Sequence, residues 1–239
     1  MDVGACSRHR LAGTEHSRGL ECGQYVGSMI TQELLDDLWD FEDPAGSEQR
    51  LAVEEASESH TDSERAELVT QRARALALQR RFEDGHALLD SLGDPSDAEV
   101  RTRVALETGR LLNSAGRPAE AAPEFETAAR TAEAADLLFL QIDALHMLAI
   151  ADEPGSSEWA AQAINLALAA PDDRTRRWLV SLHNNRGWWH FDAGRLNEAL
   201  DDFQQAQEWA ERVGNAQQRV WAREAIEECV AAMAARDNP

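Results

Sequence analysis

Apolar positions recur along this chain at helical spacing. Ala121, Phe125 and Ala128 stand at i, i+4 and i+7, and so do Ala199, Phe203 and Ala206, which puts each trio on one helical face. Both trios sit in a longer phrase: Gly116, Ala121, Phe125 and Ala128 are echoed 78 residues later by Gly194, Ala199, Phe203 and Ala206. Midway, 39 residues from each, lies a degenerate copy with Gly155, Ala160, Ile164 and Ala167. A weaker copy runs from Arg80 to Leu92, offset by 36 residues, with Gly85 where the others have Ala.

Each copy reads as a helical hairpin. Gly116, Gly155 and Gly194 mark the ends of first helices, where glycine accepts the left-handed conformation at little cost. Pro118 suits a first helical position, and Ser96 to Glu99 reads as a capping box for a helix over Ala98 to Ser114. Gly109 and Gly187 occupy matching interior positions, where each costs about 1 kcal/mol against Ala; close approach of the partner helix is the expected reason. Beyond Gly214 a last pattern, Asn215 to Arg236, places Ala222, Ile226, Cys229, Val230 and Met233 on one face as a terminal cap, with Cys229 a small buried hydrophobe.

Gly109, Leu112, Gly116, Ala121, Phe125 and Ala128 resemble the tetratricopeptide signature, as do Gly187, Gly194, Ala199, Phe203 and Ala206. The resemblance covers roughly residues 63–214 and, at a period of 39, is to the longer-helix variety found in bacterial regulators and kinesin light chains. Pro171 fits the family's turn. Leu148 and Ala73 replace the signature glycine in two copies, and Pro123 inside the second copy is expected to distort the first turns of its helix. The resemblance implies an all-α fold, a right-handed α-solenoid of helical hairpins with a C-terminal capping helix over 215–239, and a concave groove that binds a protein or peptide.

In this family the groove is lined by the first helix of each pair. Stepping by 39 gives the rows Leu106, Leu145, Asn184; Arg110, Ala149, Trp188; and Asn113, Asp152, Phe191, with Arg103 and Arg74 extending the set. Arginine can fork a carboxylate, asparagine can pair with backbone amides, and tryptophan supplies a large rigid contact. Trp188 and Phe191 either line this groove or pack beneath the C-terminal helix; Trp189 is turned about 100° from Trp188, so one of the two belongs to the core.

The N-terminal part divides in two. Residues 1–28 lack periodicity and read as a leader, with Met29 a possible true start. Residues 29–62 hold a single basic residue, Arg50, and carry about half the net charge; Ile30, Leu34, Leu35, Leu38 and Trp39 suit a short helix. This acidic segment is either a helical cap on the first repeat or an arm that docks on a partner or blocks the groove.

Charge and chemistry narrow the function. The net charge is −21, and all 23 basic residues are Arg, with no local basic stripe, so nucleic acid and anionic membranes are disfavoured partners. No apolar run is long enough to span a membrane, and three cysteines suit a reducing compartment, so a cytoplasmic location is expected. Cys6, His9, His16 and Cys22 match no standard zinc spacing. Asp201 and Asp202 diverge on a helix and read as a solvated face, while His183 and His190 read as satisfied or exposed. No nucleophile elbow, phosphate loop or zincin helix occurs. The expected function is a non-catalytic binding scaffold without metal or cofactor; the alternative is a partner-responsive sensor autoinhibited by the acidic segment.

Overall fold

The computed structural model describes residues 30–237; the expected leader and its Cys and His residues lie outside them. The described residues form α-helices and one 3-10 turn, without a strand, and divide into two compact units, 30–159 and 160–237.

The first unit holds α1 (Gln32–Leu38), α2 (Pro44–Glu55), α3 (Asp62–Leu78), α4 (Phe82–Asp90), α5 (Ala98–Ser114), α6 (Pro118–Ala134), α7 (Leu138–Ala151), the 3-10 turn Glu153–Gly155 and the start of α8 (Ser156–Ala169). Consecutive helices pack in pairs, α3 on α4, α5 on α6 and α6 on α7, and α3 also meets α5. The second unit holds the rest of α8, α9 (Asp173–Arg176), α10 (Trp178–Asp192), α11 (Leu196–Val213) and α12 (Ala216–Asp237), with α10 on α11 and α11 on α12.

The turn between paired helices recurs in detail. Arg80, Gly116 and Gly194 adopt φ of 60, 80 and 74°, and the next amide in each case, of Arg81, Arg117 and Arg195, donates to the carbonyl of Leu76, Leu112 and His190 at 2.9, 3.0 and 2.9 Å. This six-to-one bond closes a helix through a left-handed residue. Arg80 shows that the weak first copy keeps the turn even without glycine. The third copy departs from expectation: Gly155 lies in the 3-10 turn, not at positive φ. There Trp159 Nε1–H donates to Asp152 Oδ2 at 2.8 Å, and a Cβ on Gly155 would fall 2.4 Å from that oxygen. Close approach, rather than a left-handed turn, calls for glycine at this position.

The interior glycines answer to one ring each. A Cβ on Gly109 would lie 2.5 Å from Phe125 Cε1, and one on Gly187 the same distance from Phe203 Cε1. Phe125 and Phe203 are fully buried, as are Ala121, Ala128, Ala199 and Ala206. Gly109→Ala is therefore expected to destabilise by about 1 kcal/mol, the overpacking cost of about 1–3 kcal/mol outweighing a helix-propensity gain of about 1 kcal/mol. Urea midpoints should show Gly109→Ala below wild type and part of the loss recovered by adding Phe125→Leu.

Several local readings are corrected. Asp97, not Ser96, caps α5, accepting from the amides of Glu99 and Val100. The helix α6 runs unbroken through Pro123, whose missing amide falls on the exposed side. In α12, capped by reciprocal Asn215–Gln218 bonds, Ala222, Ala225 and Cys229 point inward whereas Val230 is half exposed. Cys229 is buried against the Leu196 carbonyl, and burial pushes its thiol up.

The acidic segment forms two helices. Its α2, capped by Asp43 and opened by Pro44, packs along α3. Ile30, Leu35, Leu38 and Leu51 share one apolar cluster with Leu68 and Ala75 of α3. Burial of each leucine contributes about 1.5–3 kcal/mol, so the segment is integral to the first unit.

Candidate binding face and its ion networks

The first unit brings together Arg74 on α3, Arg103, Leu106, Arg110 and Asn113 on α5, and Leu145 on α7. Arg110 reaches forward to α7, donating through Nη2 to Asp143 and through Nη1 to Glu107 one turn back, both at 2.5 Å. All three side chains are largely buried. Burial opposes the charged guanidinium, but the two carboxylates outweigh it and raise the Arg110 pKa above its ordinary value. Asp143 is pushed up by burial and pulled down further by Arg110 and Arg74, so it stays ionised well below the usual range. His146, one turn on and 2% exposed, is driven by burial down to about 4, Asp143 opposing and the two arginines reinforcing. It is therefore neutral at physiological pH.

Arg103 makes the next link, pairing with buried Glu67 of α3 at 2.8 Å and with Glu99 at 3.0 Å. Glu67 also accepts the Ile30 amide at 3.0 Å. Arg74 is capped by the acidic segment: its guanidinium carbon lies 5.9 Å from the ring centroids of both Trp39 and Phe41, which stack on each other. Trp39 Nε1–H donates to Gln71 Oε1 at 3.0 Å. The arginines read from the sequence as ready for a partner's carboxylate thus already hold groups of this chain.

Burial also decides the apolar members. Leu106 and Leu145 are 1 and 4% exposed, whereas Asn113 is half exposed. In the second unit Asn184 is buried and Trp188 is 6% exposed. Trp188 lies in a cluster with Phe203, Leu196, Ala225 and Cys229, edge-on to Phe203 at 4.9 Å and to Phe191 at 5.3 Å, and Phe191 packs against the same cluster. Trp188 therefore sits beneath α12, while Phe191 is half-buried against the same cluster. Trp189, not Trp188, is the exposed one of the pair, at 38%.

The second unit has its own network. Asp202 is buried, while Asp201 is exposed, which corrects the reading of both as a solvated face. Asp202 accepts from His183 Nδ1 at 2.9 Å and bidentately from Arg186 at 2.8 and 2.6 Å, with His190 Nε2 at 3.8 Å. Burial raises its pKa, but these donors overcome that and hold it below its ordinary value. Among the described residues no group of three metal-ligating side chains converges.

The sequence pattern does not point to the carboxylates Glu67, Glu107 and Asp143, and it points to Asp202 only as part of a solvated face. A readable signal existed for Glu67, which stands one 36-residue step before Arg103, and for Glu107, one turn before Arg110.

No protein-family model matches the chain, and no curated protein matches it significantly. Among solved structures the fold is similar to that of BtubC (BKLC) from P. vanneervenii, at 14% identity and a TM-score of 0.57, over 84% of this chain and 94% of that one. At that identity the similarity concerns the fold alone.

Proposed function

We propose that the helix pairs are tetratricopeptide-type repeats, stacked within each unit as in a right-handed α-solenoid, and that the chain is a non-catalytic cytoplasmic scaffold that binds a protein or peptide. The recurring left-handed turns and the Gly109–Phe125 and Gly187–Phe203 contacts support the repeat reading. The observation that carries binding is the α3–α5 face: in a chain of net charge −21 it gathers Arg74, Arg103 and Arg110 and orients them by carboxylates and rings of neighbouring elements. Guanidinium groups already fixed in direction lose little freedom when a partner's carbonyl or carboxylate arrives. Half-exposed Asn113 adds a donor and acceptor for backbone.

The test is capture by the immobilised full chain, comparing wild type with Arg74→Gln and Asn113→Ala. A protein retained by wild type and weakened about tenfold in each variant, roughly 1.4 kcal/mol, supports this face. Identical retention by all three chains removes it, and turnover of any bound species contradicts the non-catalytic reading.

One contact favours the alternative of a partner-responsive sensor: Trp39 and Phe41 of the acidic segment occupy the Arg74 guanidinium. The gate in that reading is this aromatic pair, although Trp39 also packs against the apolar cluster that holds Ile30, Leu35, Leu38 and Leu51. Trp39→Ala with Phe41→Ala then raises affinity for the captured partner.

A further inference from the structure

Three arginines occupy equivalent turns, Arg81, Arg117 and Arg195, each one residue after the left-handed residue, and each has an acid three residues on: Asp84, Glu120 and Glu198. Arg81 Nε–H donates to Asp84 at 2.8 Å, and Arg117 grips Glu120 with two bonds of 2.7 and 2.6 Å. Arg195 does otherwise. Its guanidinium carbon lies 4.3 Å from the Trp189 ring centroid, its Nε–H donates to His190 Nδ1 at 2.9 Å, and its buried Nη2 meets no acceptor. It thus forgoes the charge-assisted pair that its two counterparts make and leaves an N–H unsatisfied. A second arrangement, with Arg195 on Glu198, is available to it from the geometry of the same turn elsewhere in the chain.

We propose that His190 is a proton-operated catch: neutral, it holds Arg195 across the Trp189 indole, and protonated, it releases Arg195 to Glu198 and uncovers the indole face. His190 Nδ1 accepts a hydrogen bond only when it carries no proton, so the proton of the neutral ring sits on Nε2, which faces Asp202. Protonating Nδ1 sets an N–H against the Arg195 Nε–H and adds a second positive charge beside the guanidinium. Glu198 and Asp202 then offer the two cations separate anions.

The groups around His190 come from each packed element. On α10 these are His183, Arg186 and Asp192; on α11 they are Glu198 and Asp202; Arg195 stands in the turn between. The inward residues of α12 add only the Cys229 thiol, and α9 lies at the far, N-terminal end of α10. Burial lowers the His190 pKa from 6.5, with Arg195 and Arg186 adding to it and Asp202 and Glu198 opposing. The catch is therefore closed at neutral pH and opens in mild acid. Trp189 is 38% exposed even beneath Arg195, so its release enlarges an aromatic contact already at the surface.

The full chain, labelled with nitrogen-15, tests this by magnetic resonance. At neutral pH His190 should show a proton on Nε2 and a bare Nδ1. On acidification the His190 ring, the Arg195 Nε–H and the Trp189 indole should shift together with one midpoint below 6.5. The surface change Glu198→Gln should lower that midpoint, since it removes a charge favouring the imidazolium, and His190→Gln should abolish the Arg195 and Trp189 shifts. A proton on Nδ1 at neutral pH, or a His190 titration that leaves the Arg195 and Trp189 signals unmoved, overturns the proposal.

Discussion

Replacing Arg110 by alanine is expected to remove about 3–5 kcal/mol of folding stability before any partner is added, because a buried ion pair broken on one side leaves its other charges uncompensated. Arg110 is the common cation of Glu107 and Asp143, and both carboxylates are less than a tenth exposed. One Glu107 oxygen already lacks a hydrogen-bond partner, so the site has no spare donor to take over. Two further comparisons separate the mechanism from simple loss of packing. Asp143→Asn alone should cost less than Arg110→Ala, since the guanidinium keeps Glu107. The triple change Glu107→Leu, Arg110→Met and Asp143→Leu should recover most of the stability, because apolar groups of similar volume replace buried ions at little net cost. Equilibrium denaturation of the set decides the matter: a triple variant as unstable as Arg110→Ala would show that the ions are needed for more than mutual neutralisation. The practical consequence is that binding lost in Arg110→Ala says nothing about the face itself, whereas Arg74 and Asn113 can be altered with less damage.

The helical scaffold was legible because its determinants are local. A left-handed closure at Gly116 or Gly194, a proline at the first position of α6, and the small-residue face around Phe125 or Phe203 depend on residues within one or two turns of each other. Gly109 and Gly187 were readable as close contacts for the same reason, although the ring each one meets lies on the next helix. Where two neighbouring residues compete for one role, the local signal weakens. Ser96 and Asp97 can each cap α5, and the carboxylate wins with two amides in reach. Asp201 and Asp202 are chemically alike, and about 100° of helical rotation sends one to solvent and the other to His183 and Arg186. The same rotation separates Trp189 from Trp188.

The candidate face was harder to read because its character depends on partners one repeat away. Arg110 and Arg103 look unengaged in the sequence; their anions, Asp143 and Glu67, lie 33 and 36 residues off. Only the packing of α3 on α5 and of α5 on α7 brings them together. Whether Trp188 faces outward depended likewise on α12, whose Ala225 and Cys229 close over it.

The second large effect belongs to His146 and concerns pH. Its pKa in the folded chain is driven by burial to about 4 from an ordinary 6.5, so the unfolded chain takes up the proton first. Stability is then complete above pH 6.5, falls as pH drops through the interval, and by about pH 4 has lost roughly 3 kcal/mol at about 1.4 kcal/mol per unit. Asp143 and Asp202 act in a different window: both are held below their ordinary 3.8, so the stability they contribute is present above that value and is lost only as pH falls beneath it. His190 is lowered as well and adds a smaller loss beginning in the same interval as His146. The two histidines are separable by substitution. His146→Gln, which cannot titrate, should be less stable than wild type at neutral pH but should flatten most of the decline between 6.5 and 4, leaving the steeper fall below 3.8 in place. Urea denaturation at closely spaced pH values measures this directly. A decline of unchanged depth in His146→Gln would assign the acid sensitivity to other groups.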